Sequence, residues 1–409
     1  MAKAPTSDLR SYLDANFPRL SQRLPDGVVA GANVPFMGWR RMGYFRYLFA
    51  AILMWFIPAL MEKDWFPLLQ GTFGTTVLFN TGYYILLTLG LSVVVGLAGL
   101  LDLGYIAFFM LGSYTVALMT QSGAPDQFHI VEWTPWASIP FAIFVAMLAG
   151  FALGVPTLRL RGDYLAIVTL GFHEIVRQAA NNLDITNGSR GIAAIPKPAI
   201  PFLDFEFGLD PATYWRYLCI PAIILAVIMI RHLDSSRVGR YWAAIREDEV
   251  AAAAMGVPVT KMKVLAFVIG ASTSGIAGWI FSVKSGYIAP NSFPLLESIL
   301  VLSAVVVGGL GSISGAVLGA ILVEMLPEIV RDASPTGDVF GFDVETGRIA
   351  VFGLALIVVM IYRPGGLLAA KRRRTELSEA GAADAVVVDE SAESIKTRGD
   401  TLYDAEKKG

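Results

Sequence analysis

The chain has 409 residues, of which 55% are apolar or aromatic and 16% are Asp, Glu, Lys or Arg. A soluble domain usually carries roughly 25% charged residues, so this chain has more apolar surface than a soluble core of its size could bury. The net charge of −2 argues against a nucleic-acid-binding protein, and the apolar fraction excludes a disordered chain. The composition indicates an all-α polytopic membrane protein.

Residues 1–43 are predicted to form a cytoplasmic segment before the first membrane span. Within them, residues 7–20 place five apolar side chains on one helical face, with charged residues elsewhere. This pattern predicts a short helix lying on the inner membrane surface, and the alternative is an unstructured tail. No apolar core of about 7–15 residues follows the first charges, so the segment is not expected to be a signal peptide.

Residues 44–365 are predicted to form the transmembrane domain, with about ten helices of the roughly 20 apolar residues needed to cross a bilayer. Residues 96–104 are interpreted either as a turn or as a broken, re-entrant piece, which membranes tolerate only inside protein. Lys and Arg cluster on the side of the membrane that the N-terminus occupies, so both termini are predicted to be cytoplasmic. The candidate spans are 44–61, 75–95, 104–120, 136–155, 164–181, 214–231, 264–283, 296–310, 313–330 and 348–362.

A stripe of polar side chains runs through the candidate span 164–181. His173 and Arg177 are four residues apart, and Glu174 with Gln178 forms a neighbouring pair. Charge inside hydrocarbon is costly and usually faces a bundle interior or a water-filled cavity. His173, Glu174 and Arg177 are therefore candidates for the wall of a translocation pathway. The alternative is a structural ion pair between Glu174 and Arg177, three residues apart on one helix.

Further pathway candidates lie near predicted span ends. Asp102 is one of them, and like Glu297 and Glu324 it could equally be an interfacial residue. Gly309 and Gly311 belong to a cluster of small residues between two candidate spans. Such a cluster indicates either close helix packing or a break in a helix near a pore.

The polar segment 232–263 is too hydrophilic to cross the membrane. It predicts one helix from about Tyr241 to Met255, closed by Gly256 and followed by Pro258. A short, partly apolar helix between two spans suits docking into a groove of a cytosolic partner, and the alternative is a helix lying on the protein's own cytoplasmic face. One face is expected to hold Trp242, Ile245, Ala252 and Met255, while Arg246, Glu247, Asp248 and Glu249 crowd the middle.

The sequence carries no signature of an enzyme. There is no G-x-x-x-x-G-K-[ST] motif, so the chain is not expected to hydrolyse ATP by itself. His173 and Glu174 begin like a zinc-protease motif, but Arg177 stands where the second His is required. The one cysteine, Cys219, lies in an apolar run and cannot form an intrachain disulfide or a Cys/His zinc site. No catalytic residue, metal or cofactor is therefore expected in this chain. The tail, residues 366–409, begins with a basic run and is then predicted to be disordered.

Several sequence blocks occur together and in order within residues 75–365, and this region resembles the LivM-type permease subunit of branched-chain amino acid ABC importers. The blocks are GLAGLLDLGYIAFFMLGSYTVAL (96–118), LRLRGDYLAIVTLGFHEIVR (158–177), DITNGSRGIAAIPKP (184–198), GRYWAAIREDEVAAAAMGV (239–257) and the glycine cluster of 305–320.

The resemblance implies a type II-like ABC importer permease bundle in the bacterial inner membrane. This subunit would pair with a second, LivH-type permease, and two ATP-binding cassette subunits would dock below and use ATP. A substrate-binding protein would deliver amino acid from outside, and no nucleic-acid partner is implied. The residues that match the family's coupling segment, which inserts into the ATP-binding subunit, are Arg246, Glu247, Asp248, Glu249, Ala252 and Gly256.

Three other functions stay open at this point. A permease for urea or short amides would share the architecture, since such permeases resemble this one closely. A secondary transporter would work without ATP, but Glu174, the candidate mid-membrane carboxylate, has Arg177 beside it. The polar segment 232–263 in a chain without its own ATPase motif favours an ABC permease over that alternative. An intramembrane enzyme lacks any paired-carboxylate, Ser/His or metal constellation.

Overall fold

The computed structural model shows a predominantly helical chain. The described residues are 54–55, 71–120, 133–157, 162–200, 205–208, 210–332, 338–339, 342–343, 353–354, 357, 361–362 and 366–368. The chain divides into Met1–Phe56, of which the helical residues 54–55 are described, and Ile57–Gly409, which holds every element below. The predicted surface helix at 7–20, nearly all of the spans 44–61 and 348–362, and the tail after residue 368 lie outside the described residues.

Eleven α-helices and six two-residue strands occur in the described part of the chain. The helices are α1 (Gly71–Leu91), α2 (Ile106–Thr120), α3 (Ile139–Thr157), α4 (Asp163–Asn182), α5 (Pro211–Tyr214), α6 (Ile220–Ser235), α7 (Arg237–Glu247), α8 (Glu249–Ala254), α9 (Val259–Ser285), α10 (Leu295–Gly308) and α11 (Ile313–Asp332). The strands form antiparallel pairs, β1 (Ile192–Ala193) with β4 (Tyr287–Ile288), β2 (Ala199–Ile200) with β3 (Phe205–Glu206), and β5 (Asp338–Val339) with β6 (Phe342–Asp343).

Short helical turns of other types extend or join these helices. A π-helical turn, Ser92–Leu97, continues α1, and a second one, Trp215–Cys219, joins α5 to α6. Turns of 3₁₀ helix cover Pro135–Ser138, Asp184–Thr186, Gly188–Arg190 and Pro290–Ser292.

The helices confirm an all-α polytopic membrane protein. In the described residues, five helical segments are long and apolar enough to cross a bilayer: Thr75–Leu97, Pro135–Pro156, Pro211–Ser235, Val259–Ser285 and Pro290–Gly308. Two shorter apolar helices, Ile106–Thr120 and Ile313–Leu326, accompany them. α4 belongs to neither set, and it carries three charged residues in its 20.

α9 is the central helix, and α1, α2 and α3 all pack against it. Small residues permit the close approach, because a Cβ on Gly112 of α2 would lie 2.9 Å from Gly275 Cα of α9. A Cβ on Gly275 would in turn lie 2.8 Å from the Ala142 carbonyl oxygen of α3. Helices in a membrane associate largely through such packing of small residues, so these glycines are explained by the fold.

The connections between the helices gather at two ends of the bundle. At one end β1 pairs with β4, and the Trp136 Nε1–H donates to the Ala199 carbonyl at 2.8 Å. At the other end, residues 98–101 and Gly162 line one groove with the α7–α8 segment. We call these the β1–β4 end and the α7–α8 end. Successive long helices therefore alternate in direction between these two ends.

Two predicted local structures differ from the observed ones. The single helix predicted from Tyr241 to Met255 is wrong, because Asp248 adopts an extended conformation (φ −153°) and separates α7 from α8. Its Oδ1 accepts hydrogen bonds from the N–H groups of Val250 and Ala251 at 2.8 and 3.0 Å, so it caps α8. Met255 is 84% exposed, so it does not lie with Trp242, Ile245 and Ala252, which are buried. Of residues 96–104, Gly96 and Leu97 end the π-helical extension of α1, and the rest belong to the turn that leads into α2.

Candidate functional site

Arg246 connects α7 to two helix ends. Its Nη1–H donates to the Gly96 carbonyl at 2.7 Å. A Cβ on Gly99 would lie 2.8 Å from Arg246 Cγ, and one on Gly311 would lie 3.3 Å from Arg246 Nη1. Gly96 is in the last turn of the α1 extension, where helical carbonyls lack intrahelical donors and a cation is favoured. The guanidinium therefore caps that helix end from a segment 150 residues away.

Gly309 and Gly311 form the joint between α10 and α11. Their φ angles are +121° and +77°, which glycine adopts without the strain that a side chain would add. A Cβ on Gly96 would lie 2.7 Å from the Gly311 nitrogen, so the joint touches the α1 extension. The N–H groups of Leu367 and Leu368 donate to the carbonyls at the end of α10 at 2.8 and 3.0 Å. The structure thus places Gly311 beside Arg246 at the α7–α8 end, with Gly309 two residues earlier in the same joint.

The inner face of the α7–α8 segment rests on the bundle. Lys263 Nζ lies 2.7 Å from Glu249 Oε2, and this ion pair joins α8 to the start of α9. The Trp242 Nε1–H donates to the Met262 carbonyl at 2.8 Å. Ala252 is buried against the same surface. Part of the segment therefore lies on the protein's own face, as one of the two sequence interpretations predicts.

The outer face of α8 is exposed and apolar. Val250 is 62% exposed and Met255 is 84% exposed. Gly256 follows them with φ +82° and closes the helix as predicted. Beside this face is a groove of about 390 Å³ that Glu247 and Asp248 help to line, together with residues 98–101, Gly162, Leu165, Ile245, Arg246, Glu249, Val250 and Lys263.

The polar stripe of α4 separates into two parts. Arg177 makes a bidentate ion pair with Glu174, with Nη2–Oε1 at 2.5 Å and Nε–Oε2 at 3.1 Å. Both side chains are partly exposed, 48% for Glu174 and 31% for Arg177. His173 is fully buried, and neither ring nitrogen makes a hydrogen bond to a described residue. The predicted ion pair forms, while a place for these residues in a pathway stays a prediction.

Asp102 is completely buried in the turn between the α1 extension and α2, and its predicted place in a pathway or at the membrane interface stays a prediction. Its Oδ1 accepts a hydrogen bond from the Gly104 N–H at 2.8 Å. The neighbouring Leu103 N–H donates to Thr169 Oγ1 of α4 at 2.9 Å. Asp102 therefore stabilises the turn between the α1 extension and α2, and the Leu103 N–H attaches this turn to α4.

Several contacts at these sites have no signature in the sequence. The Arg246–Gly96 hydrogen bond and the Lys263–Glu249 ion pair join segments that only the fold brings together. The Tyr84 hydroxyl of α1 donates to the Glu297 carboxylate of α10. Among the described residues, no group of three or more His, Cys, Asp or Glu side chains is placed to hold a metal ion.

Comparison with known proteins gives a consistent result. Residues 74–361 match the family model described as branched-chain amino acid transport system / permease component. The chain is 40% identical over 337 residues to the high-affinity branched-chain amino acid transport system permease protein LivM of Escherichia coli strain K12, an alignment that covers 78% of this chain and 74% of that protein. No solved structure matches the chain.

More distant relatives cover most of their own length. The chain is 27% identical over 295 residues to the permease protein BraD of Pseudomonas aeruginosa, which covers 70% of this chain and 91% of that protein. It is 24% identical over 322 residues to the permease protein LivH of Escherichia coli strain K12, which covers 75% of this chain and 97% of that protein. Both relatives are named as components of high-affinity branched-chain amino acid transport systems.

Proposed function

Because this chain belongs to the family of branched-chain amino acid transport system permease components, we propose that it is the membrane permease subunit of an ATP-driven importer of branched-chain amino acids. The observation that carries the proposal is the match to LivM over three quarters of both chains. ATP hydrolysis takes place on partner subunits in this proposal, and the chain supplies part of the route through the membrane.

We propose a bacterial inner-membrane topology of ten spans with both termini in the cytoplasm. In this proposal eight helices of the described residues each cross the membrane, namely α1, α2, α3, α4, α6, α9, α10 and α11, and the segments 44–61 and 348–362 complete the ten spans. The α7–α8 end is the cytoplasmic end. Its basic residues support this orientation, since Lys and Arg are enriched in cytoplasmic loops: Arg237, Arg240, Arg246, Lys261 and Lys263.

The proposed partners are a LivH-type permease, two ATP-binding cassette subunits and a substrate-binding protein on the outside. The similarity of this chain to both LivM and LivH proteins supports a pair of related permeases. The exposed side chains of Val250 and Met255 support a cytosolic partner, because an apolar helix face at a membrane surface suits a protein groove.

We propose that the α7–α8 segment transmits the movement of the ATP-binding subunits into the bundle. ATP binding can favour one access state only if the coupling segment contacts the ATPase differently in the two states. In this proposal a movement of the α7–α8 segment is transmitted to the α1 extension through the hydrogen bond from Arg246. The same movement is transmitted to α9 through the ion pair between Glu249 and Lys263. In this proposal Gly309 and Gly311 act as the joint that moves with Arg246, and Asp102 holds the adjoining turn.

Uptake of labelled leucine in cells tests the substrate. Cells deleted for this chain are compared with the same cells carrying it on a plasmid, with excess unlabelled urea as competitor. We expect uptake that depends on the chain and does not respond to urea. If deletion leaves leucine uptake unchanged, the substrate assignment is wrong, and the urea or short-amide permease alternative takes its place.

A further inference from the structure

One face of α4 is exposed along the full length of the helix. Tyr164 is 72% exposed, Ile167 is 64% exposed and Ile175 is 69% exposed. Glu174 and Gln178 lie on the same face, at the spacing of successive helical turns. The face therefore combines large apolar side chains with an amide and the Glu174–Arg177 ion pair.

In the proposed topology α4 crosses the membrane, and this places the Glu174–Arg177 ion pair near the middle of the bilayer. α4 has 20 residues, so its length is about 30 Å, close to the thickness of the hydrocarbon core. Glu174 is about 17 Å and Arg177 about 21 Å from the start of the helix at 1.5 Å per residue. Ionised side chains at this depth are expensive when they face lipid and are found against other protein or water.

The exposed face of α3 has the composition expected of a lipid-facing surface. Phe144 is 61% exposed, Leu148 is 55% exposed and Phe151 is 52% exposed, and they follow one another at helical spacing. These exposed side chains are all apolar, so hydrocarbon can cover them without cost. The α4 face differs in its charged pair and its amide, and lipid is a poor partner for both.

Gly171 leaves room for a second helix to approach. It lies one turn before Glu174 on the exposed side of α4, and a Cβ built on it would meet nothing within 4 Å. Interfaces between membrane helices commonly combine small residues, which allow close packing, with polar side chains, which hydrogen-bond across the interface. Carboxylate and guanidinium groups on this face offer both acceptors and donors to such a neighbour.

We propose that the α4 face of Tyr164, Ile167, Gly171, Glu174, Ile175 and Gln178 packs against the second, LivH-type permease. This inference rests on the proposed function. A LivH-type chain is similar in sequence to this one, and related subunits commonly pair through equivalent surfaces about a two-fold axis. The ion pair is then enclosed by protein at the interface, with its remaining hydrogen-bonding capacity used by the partner.

Site-specific photo-crosslinking in membranes that contain the whole importer tests this interface. Photoreactive benzoylphenylalanine replaces Ile175 in one variant and Leu148, the matched exposed residue of α3, in the control. After illumination, crosslinked products are identified by mass spectrometry. We expect the Ile175 variant to crosslink to the second permease and the Leu148 variant to give lipid adducts alone.

Two results would overturn the inference. One is that position 175 gives lipid adducts alone, as position 148 does, and the other is that it crosslinks to a second copy of this chain. Replacement of Tyr164, an aromatic residue at the cytoplasmic end of the same face, gives a second crosslinking position if the Ile175 variant does not fold. Leucine uptake by each variant separates the two claims, because intact uptake with lipid adducts alone refutes the interface and leaves the proposed function standing.

Discussion

Replacement of Arg246 by alanine should weaken the link between the ATP-binding subunits and the bundle. The substitution removes the hydrogen bond of 2.7 Å from Nη1 to the Gly96 carbonyl. A hydrogen bond from a charged donor contributes about 1.5–3 kcal/mol. Water reaches the Arg246 side chain, so the lower end of that range applies. A loss of about 1.5 kcal/mol corresponds to a roughly tenfold shift in the equilibrium between the linked and unlinked arrangements.

The assay measures leucine uptake and ATP hydrolysis by the same purified importer in proteoliposomes. For Arg246→Ala we expect leucine uptake per ATP hydrolysed to fall by up to about tenfold, while the amount of assembled importer stays unchanged. Arg240→Ala is the matched control, because Arg240 is an exposed arginine on the same helix. Arg246→Lys should give an intermediate ratio, since it keeps the charge but not the rigid guanidinium fork. Normal coupling in Arg246→Ala would refute the transmission role of Arg246.

Further substitutions test other parts of the account. Val250→Asp places a charge on the exposed face of α8. We expect this variant to reduce ATP-dependent leucine uptake severalfold, while the amount of the chain in membranes stays normal. Unchanged uptake would argue against docking of a partner through this face. Gly256→Val places a β-branched residue at φ +82°, which costs about 1–2 kcal/mol of backbone strain. We expect leucine uptake to fall because the end of α8 is destabilised. Wild-type uptake by this variant would show that the end of α8 tolerates the change. Glu174→Gln leaves Arg177 without its carboxylate partner, so we expect a lower yield of assembled importer. The double variant Glu174→Gln with Arg177→Gln should recover part of that yield. Equal yields for wild type and Glu174→Gln would show that the ion pair is dispensable. Deletion of residues 375–409 should leave leucine uptake intact, and its loss would assign the tail a function.

The membrane-spanning architecture is the part of the fold that the sequence predicts well. An apolar run of about 20 residues has few alternatives to a helix, because lipid offers no partner for free backbone groups. The glycine-rich segment 308–312 is correctly predicted to separate two helices, and α10 and α11 meet there. α4 is predicted as a span from the same reasoning despite its charges, and it forms a helix of 20 residues.

Local competition explains the errors in the predicted elements. Residues 241–255 have helical periodicity throughout, so the pattern predicts one helix. Asp248 interrupts this helix because its carboxylate caps the first turn of α8. The capped conformation competes with a continuous helix, and the two differ little in free energy. An unbroken helix would place Met255 on the same face as Trp242, Ile245 and Ala252, but the change of direction at Asp248 leaves it exposed.

The candidate site could be predicted as a set of residues but not as an arrangement. The residues from Arg246 to Glu249 are marked by their charge within a helix between spans. Their contacts with Gly96 and Lys263 depend on the packing of α1 and α9, which one sequence does not specify. His173 and Arg177 share a helical spacing, yet one is buried and the other partly exposed, because neighbouring helices cover only one side of α4.

Reconstitution of the complete importer in proteoliposomes tests the central claim most directly. The purified subunits are assembled with the substrate-binding protein, and labelled leucine uptake is measured with and without ATP. We predict uptake against a gradient that requires this chain, the second permease, the ATP-binding subunits and hydrolysable ATP. Leucine uptake that persists without the ATP-binding subunits, or that an ion gradient drives in place of ATP, would contradict the assignment of this chain as an ABC importer permease.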